Sequence, residues 1–223
     1  MLILAADTSG KNGSIALVRF EAGASQTLEL VSLEGGNFSA QLVPRISALL
    51  TQHNIAKSDI DGFAVAAGPG SFTGLRVGLA AIKALAEILQ KPIAAVSLLE
   101  AVARALGREG NVLAVLDAGR VEIYCGEYEI RGSGARLISQ QLWTEAEFAV
   151  GAAGRSIATS DVKIAELARE KNWQVTLIAP LRADAIARLG FEKINAGEVV
   201  SPVALDAAYL RRSDAEVKKP GLA

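Results

Sequence analysis

The chain has 223 residues, 51% of them hydrophobic and 21% charged, and a formal net charge of −1. That is the profile of a globular protein rather than a disordered one, and it excludes a global positive field for gathering nucleic acid. One cysteine, Cys125, excludes an internal disulfide, and with the single histidine, His53, it excludes the usual N/S zinc sites.

The start, "MLILAADTSG", has no basic n-region, and Asp7 interrupts its apolar run, so no secretory leader is expected. No window reaches 18 apolar residues without a charge, and a cytoplasmic protein without a membrane span is expected. Leu2–Ala6 reads as a buried strand, Asn12-Gly13 as a hairpin turn, Ser14–Arg19 as the return strand and Thr27–Leu33 as a third. Ser39–His53 is helical, with Pro44 tolerable only near a first turn. Gly62–Ala67 is a strand feeding the loop "GPGSFTG", and Ser71–Leu89 is a long helix stopped before Pro92. Ile93–Val96 reads as a strand and Leu98–Leu106 as a short helix.

After a boundary at Arg108–Asn111 the pattern restarts. Val112–Leu116 ends at Asp117 as Leu2–Ala6 ends at Asp7, and "VLAVLDAG" has the shape of "LILAADTS". A second hairpin follows, with Val121–Glu129 as its long arm and Ala135–Ile138 as its short one. "FAVGAAGRS" reads as a strand and turn, 161–172 as a helix, Val175–Ile178 as a strand, and Arg182–Ala196 as a helix stopped by Gly197. Two related α/β lobes are expected, at 1–107 and 108–223, with a polar tail.

Four features bear on chemistry. The glycine loop lacks the Gly-Lys-Ser/Thr of a P-loop and misses the dinucleotide fingerprint. Two readings remain: a tight turn with Ser71 or Thr73 capping the helix, or an anion site at the helix N-terminus. The helix after it is apolar almost all round. Arg76, Lys83, Glu87 and Gln90 form one narrow polar stripe, and Leu75, Leu79, Ile82, Ala86 and Leu89 one apolar face. Val77, Ala81, Ala84, Leu85 and Ile88 cover much of the remainder. A helix lying on one sheet needs only one apolar stripe, so the surplus is sandwiched within the chain or shared with a partner. Asp7 and Asp117 either close their turns or face a magnesium–phosphate cleft. His53 ends a helix, where a cation complements the dipole, and Cys125 reads as core.

"LAADTS", "GPGSFTGLRVG", "LDAGRVEIY" and "AYLRR" follow one another in an order and spacing that resemble the TsaB family of bacterial tRNA threonylcarbamoyladenosine biosynthesis proteins, over essentially the whole chain. The resemblance implies an α/β fold of the actin/Hsp70/sugar-kinase type, with two RNase-H-like lobes, the second reduced. Members are similar to the catalytic subunit TsaD but lack its His-x-x-x-His metal motif, which the one histidine here also precludes.

The implied role is that of a non-catalytic subunit. It dimerises with TsaD, in a complex completed by the ATPase TsaE, which moves threonylcarbamoyl onto the adenosine beside the tRNA anticodon. ATP and Mg are then used by the complex, and the chain has no cofactor of its own. Alone, it could form a homodimer through the same helices.

On this reading the partner interface comprises Leu42, Ile46, Leu49, Leu75, Arg76, Leu79, Ile82, Lys83 and Ala86. A vestigial phosphate or nucleotide cleft would use Asp7, Ser9, Asp117, Gly151 and Gly154, and a local tRNA contact would use Arg211, Arg212, Lys218 and Lys219. The alternative is a stand-alone ATP-dependent small-molecule kinase of the same fold, with "VGAAG" at 150–154 as its nucleotide loop. A peptidase is disfavoured, since there is neither a metal motif nor a triad.

Overall fold

Leu2–Asp7 (β1), Gly13–Glu21 (β2) and Ala24–Leu33 (β3) form the antiparallel meander expected from the hairpin signals. The computed structural model describes residues 1–208 and residue 210. Helix Phe38–Gln52 (α1) leads to strand Gly62–Gly68 (β4), helix Phe72–Leu89 (α2), strand Ile93–Ser97 (β5) and helix Leu98–Ala105 (α3). β4 pairs parallel with β1 and β5 parallel with β4, giving the sheet order β3-β2-β1-β4-β5. β1 is central and wholly buried, which is why "LILAAD" reads as a continuous apolar run rather than an alternating one.

α1 and α2 cover one face of this sheet. Leu42, Ile46 and Leu49 of α1 and Leu75, Leu79 and Ile82 of α2 join Leu4, Ala6, Leu17, Phe63 and Val65 in one core. Pro44 is the seventh residue of α1, well inside the helix rather than near its first turn. Pro44 and Ala40, whose carbonyl loses its i+4 donor, are both exposed, so water can satisfy that oxygen.

Gly110–Gly119 (β6), Glu122–Arg131 (β7) and Gly134–Thr144 (β8) form a second meander, followed by helix Glu145–Gly151 (α4), strand Ile157–Thr159 (β9), helix Val162–Glu170 (α5) and strand Val175–Leu177 (β10). The sheet order is β10-β9-β6-β7-β8, with β9 parallel to β6 and β10 parallel to β9. This repeats the plan of the first sheet: a central first strand, a hairpin pair on one side and parallel strands on the other. These are the two RNase-H-like lobes of the actin/Hsp70/sugar-kinase type. The second is reduced, β9 and β10 having only 3 residues each.

Two local expectations fail in this lobe. The segment read as a strand at "FAVGAAGRS" begins inside α4. Thr144 and Glu147 form a capping box, with Glu147 N–H donating to Thr144 Oγ1 (3.2 Å) and Thr144 N–H to Glu147 Oε2 (2.8 Å). β8, read as a short arm over Ala135–Ile138, has 11 residues because it pairs along the whole of β7, from Glu122↔Thr144 to Arg131↔Gly134.

The last described helix, Ala183–Asn195 (α6), returns to the first sheet. By its contacts the chain divides into Met1–Ala101 with Pro180–Ala207, and Val102–Ala179. The sequence boundary at 107/108 places this helix in the second lobe, whereas its contacts place it with the first. The reason lies in the first sheet, whose other face is apolar too. A Cβ on Gly190 would stand 2.3 Å from that of Ala64, Phe191 stacks on Phe20 with centroids 4.0 Å apart, and Lys193 Nζ lies 3.1 Å from Glu100 Oε2.

Candidate functional site

The glycine loop and the end of β1 form one packed unit. Ser71, the N-cap of α2, accepts a hydrogen bond from Gly74 N–H at its Oγ (3.3 Å), and its own N–H donates to the Ser9 carbonyl (2.7 Å). Thr8 Oγ1 donates to the Gly74 carbonyl (2.7 Å). A Cβ on Gly74 would meet the Thr8 carbonyl oxygen at 2.0 Å, and one on Gly78 would meet Thr8 Oγ1 at 2.4 Å. These two glycines are therefore required by close approach of the β1 end to the helix. A cavity of about 570 Å³ lies beside this seat, lined by Ser9, Lys11, Phe38, Ser39 and Thr73 among others.

Asp7 is buried. Its Oδ1 accepts from Ser9 N–H (2.9 Å) and Ser9 Oγ–H (2.6 Å). Burial raises its carboxyl above the usual range, against the opposing pull of the Ser9 bonds. Asp117 is exposed and accepts from Gly119 N–H (2.8 Å), closing the turn between β6 and β7. Gly151 packs under the Trp143 ring, where a Cβ would stand 2.7 Å from it, and Gly154 turns with φ 74°. Of the cleft set, Asp7 and Ser9 thus meet in the first unit, while Asp117, Gly151 and Gly154 belong to the second, each engaged locally.

Among the described residues, no three His, Cys, Asp or Glu side chains gather in a way that could hold a metal ion. Burial pushes the Cys125 thiol up to about 12, so it is no thiolate nucleophile. His53 Nε2 lies 2.6 Å from Glu29 Oε2 and ties the end of α1 to β3. Arg211, Arg212, Lys218 and Lys219 lie outside the described residues.

The predicted partner interface needs correction. Leu42, Ile46, Leu49, Leu75, Leu79, Ile82 and Ala86 are each at most 6% exposed and lie in the core beneath α1 and α2, so no partner can reach them. Only Arg76 and Lys83 of that set reach the surface. The surplus apolar stripe is the other one. Ile88 is 78% exposed and Val43 of α1 55%, while Ala80 and Ala84 are open and Val77, Ala81 and Leu85 half-buried. A groove of about 450 Å³ runs between α1 and α2, lined by Ser39, Val43, Phe72, Arg76, Val77 and Ala80 among others, with the Arg76 guanidinium 3.7 Å from the Phe72 ring centroid. Two apolar stripes are visible in the sequence of α2, but which of them turns inward is not.

A family model described as "TsaD: tRNA N6-adenosine threonylcarbamoyltransferase" matches residues 33–205. The Bacillus subtilis tRNA threonylcarbamoyladenosine biosynthesis protein TsaB is 38% identical over 133 residues, covering 59% of this chain and 56% of that protein. The Escherichia coli protein of the same name is 33% identical over 132 residues, covering 58% and 55%. The chain thus spans about half the length of the curated relatives it matches.

Among solved structures, an uncharacterized protein with similarity to peptidase YeaZ from Pseudomonas aeruginosa superposes with a TM-score of 0.75 at 27% identity, covering 94% of this chain and 99% of that one. YeaZ from Pseudomonas aeruginosa gives 0.71 at 26%, with the same coverage. No described helix is long and apolar enough to cross a membrane. With most of its length matched by the threonylcarbamoyltransferase model, and with named TsaB relatives aligned to it, the chain belongs to that family as one of its TsaB-type members.

Proposed function

We propose that this chain serves tRNA threonylcarbamoyladenosine biosynthesis as a non-catalytic subunit, docking a TsaD-type transferase through the outward face of α1 and α2. The observation that carries this reading is the outward apolar stripe of α2, on which Ala80, Ala84 and Ile88 stand exposed beside Val43 of α1 while Val77, Ala81 and Leu85 are only half-buried. Small residues at 80, 81 and 84 allow another helix to approach closely, as at the apolar core of a stable interface. The metal-binding and transfer chemistry, and the use of ATP and Mg, then belong to the partner and to a TsaE-type ATPase. By linkage, binding draws the partner toward its competent state. Alone, the same face would make a homodimer.

The test is co-purification with the TsaD-type protein of the same genome. Ala84→Glu and Ile88→Glu stand on the exposed face, so each is expected to abolish the complex while changing monomer stability by less than about 0.5 kcal/mol. Leu79→Glu serves as a contrast and is expected to unfold the chain, because that side chain is in the core. Retained binding by both surface variants would overturn the assignment.

A further inference from the structure

An apolar helix with two stripes poses a problem of register. Burial of Leu75, Leu79, Ile82 and Ala86 competes with burial of Val77, Ala81, Ala84 and Ile88, because hydrophobic attraction is non-directional. The inward stripe carries the larger side chains, and a buried polar group adds the direction that apolar burial lacks, as a lone one fixes register in coiled coils. Thr8 is placed to do so. It is 2% exposed and meets two successive turns of α2. Its hydroxyl donates to the Gly74 carbonyl at 2.7 Å and occupies the space a Cβ on Gly78 would need. On either side of it, the Ser9 carbonyl holds the Ser71 N–H, and Asp7 holds Ser9 by two hydrogen bonds. A rotation of α2 that turned the other stripe inward would bring a side chain, instead of glycine, against Thr8.

We infer that the turn Asp7-Thr8-Ser9 is a key that sets the rotational register of α2, which makes Thr8 a positioning residue for partner docking. The inference rests on the docking reading for its functional consequence, though the register itself does not. Thr8 is absent from the lining of the α1–α2 groove, whereas Phe72, Thr73, Arg76 and Val77, on the turns it grips, all line it. Its effect on docking is therefore exerted through the helix.

The test uses Thr8→Val, which keeps the shape and removes the hydroxyl, and Thr8→Ser, which keeps the hydroxyl. Amide exchange is followed in residues 72–78 and in α6 as an internal control, and affinity is measured for the TsaD-type protein. Thr8→Val is expected to speed exchange in 72–78 about tenfold with α6 unchanged, to weaken binding about as much, and to be rescued by Ser. Unchanged exchange in 72–78, or an equal rise in α6, would overturn the register role. Faster exchange with unaltered affinity would overturn the link to docking. Failure of the docking reading itself shows separately, as unimpaired binding by both Ala84→Glu and Ile88→Glu.

Discussion

At the scale of single residues, the most informative side chain is Asp7. It ends the central strand in a buried setting, with its carboxyl raised by desolvation above 3.8 and its Oδ1 accepting both Ser9 donors. A carboxyl raised in the folded state binds its proton more tightly there. The resulting stability is present in full below the ordinary value and is lost as pH rises through the raised one. Asp7→Asn keeps an acceptor oxygen and never ionises. Its stability relative to the natural chain is expected to improve steadily from pH 4 to pH 7 in urea denaturation. A difference that does not change with pH would show that Asp7 ionises at no cost. Asp7 was legible as a strand-ending carboxylate, and the loop glycines as a tight turn. That Gly74 and Gly78 receive the Thr8 backbone and hydroxyl could not be read, because residues 66 or more apart in sequence meet only through the parallel pairing of β1 with β4.

At the scale of elements, α1 and α2 carry the functional argument, and both were read within one or two residues of their bounds. Their orientation was not. Leu42, Ile46 and Leu49, read as facing a partner, face the chain's own sheet, and the outward stripe is made of smaller residues with Val43 and Ile88. Pro44 sits at the exposed middle of α1 and removes a helical hydrogen bond without a buried penalty. Pro44→Ala is therefore expected to restore that bond and to stabilise the chain by about 1 kcal/mol or more. A fall in the denaturation midpoint would mean that Pro44 is needed for α1 to pack on its sheet. α4 was missed although Thr144-x-x-Glu147 is a capping box in plain sequence, the one local signal that should have outweighed the apolar run after it.

At the scale of the whole molecule, each unit has its own five-stranded sheet, and the first depends on a helix supplied from more than 80 residues beyond its last strand. Ala5, Ala64 and Ala94 make one face of the first sheet shallow enough for the backbone of α6 to lie against it at Gly190. Gly190→Val is expected to cost about 1–3 kcal/mol by overpacking. Its effect should appear as faster amide exchange in β1, β4 and β5, far away in sequence. If exchange rises in α6 alone, the first sheet holds together without it. The duplication was legible from the restart at Asp117, and the return of α6 was not. Any helix with one apolar stripe suits either sheet, and only the small side chains of β1, β4 and β5 discriminate.

Periodicity, turn residues and caps, all local, determined the elements, their order and the duplicated plan. They also determined that α2 carries more apolar surface than one sheet can cover. Tertiary structure alone decided which stripe is covered, through the contact of Thr8 with Gly74 and Gly78. It alone decided where α6 belongs, through the fit of Gly190 to Ala64. The physical reason is the same in both cases. Hydrophobic pattern sets how much surface must be buried, without direction, whereas close steric and polar contacts between distant segments set which surface it is.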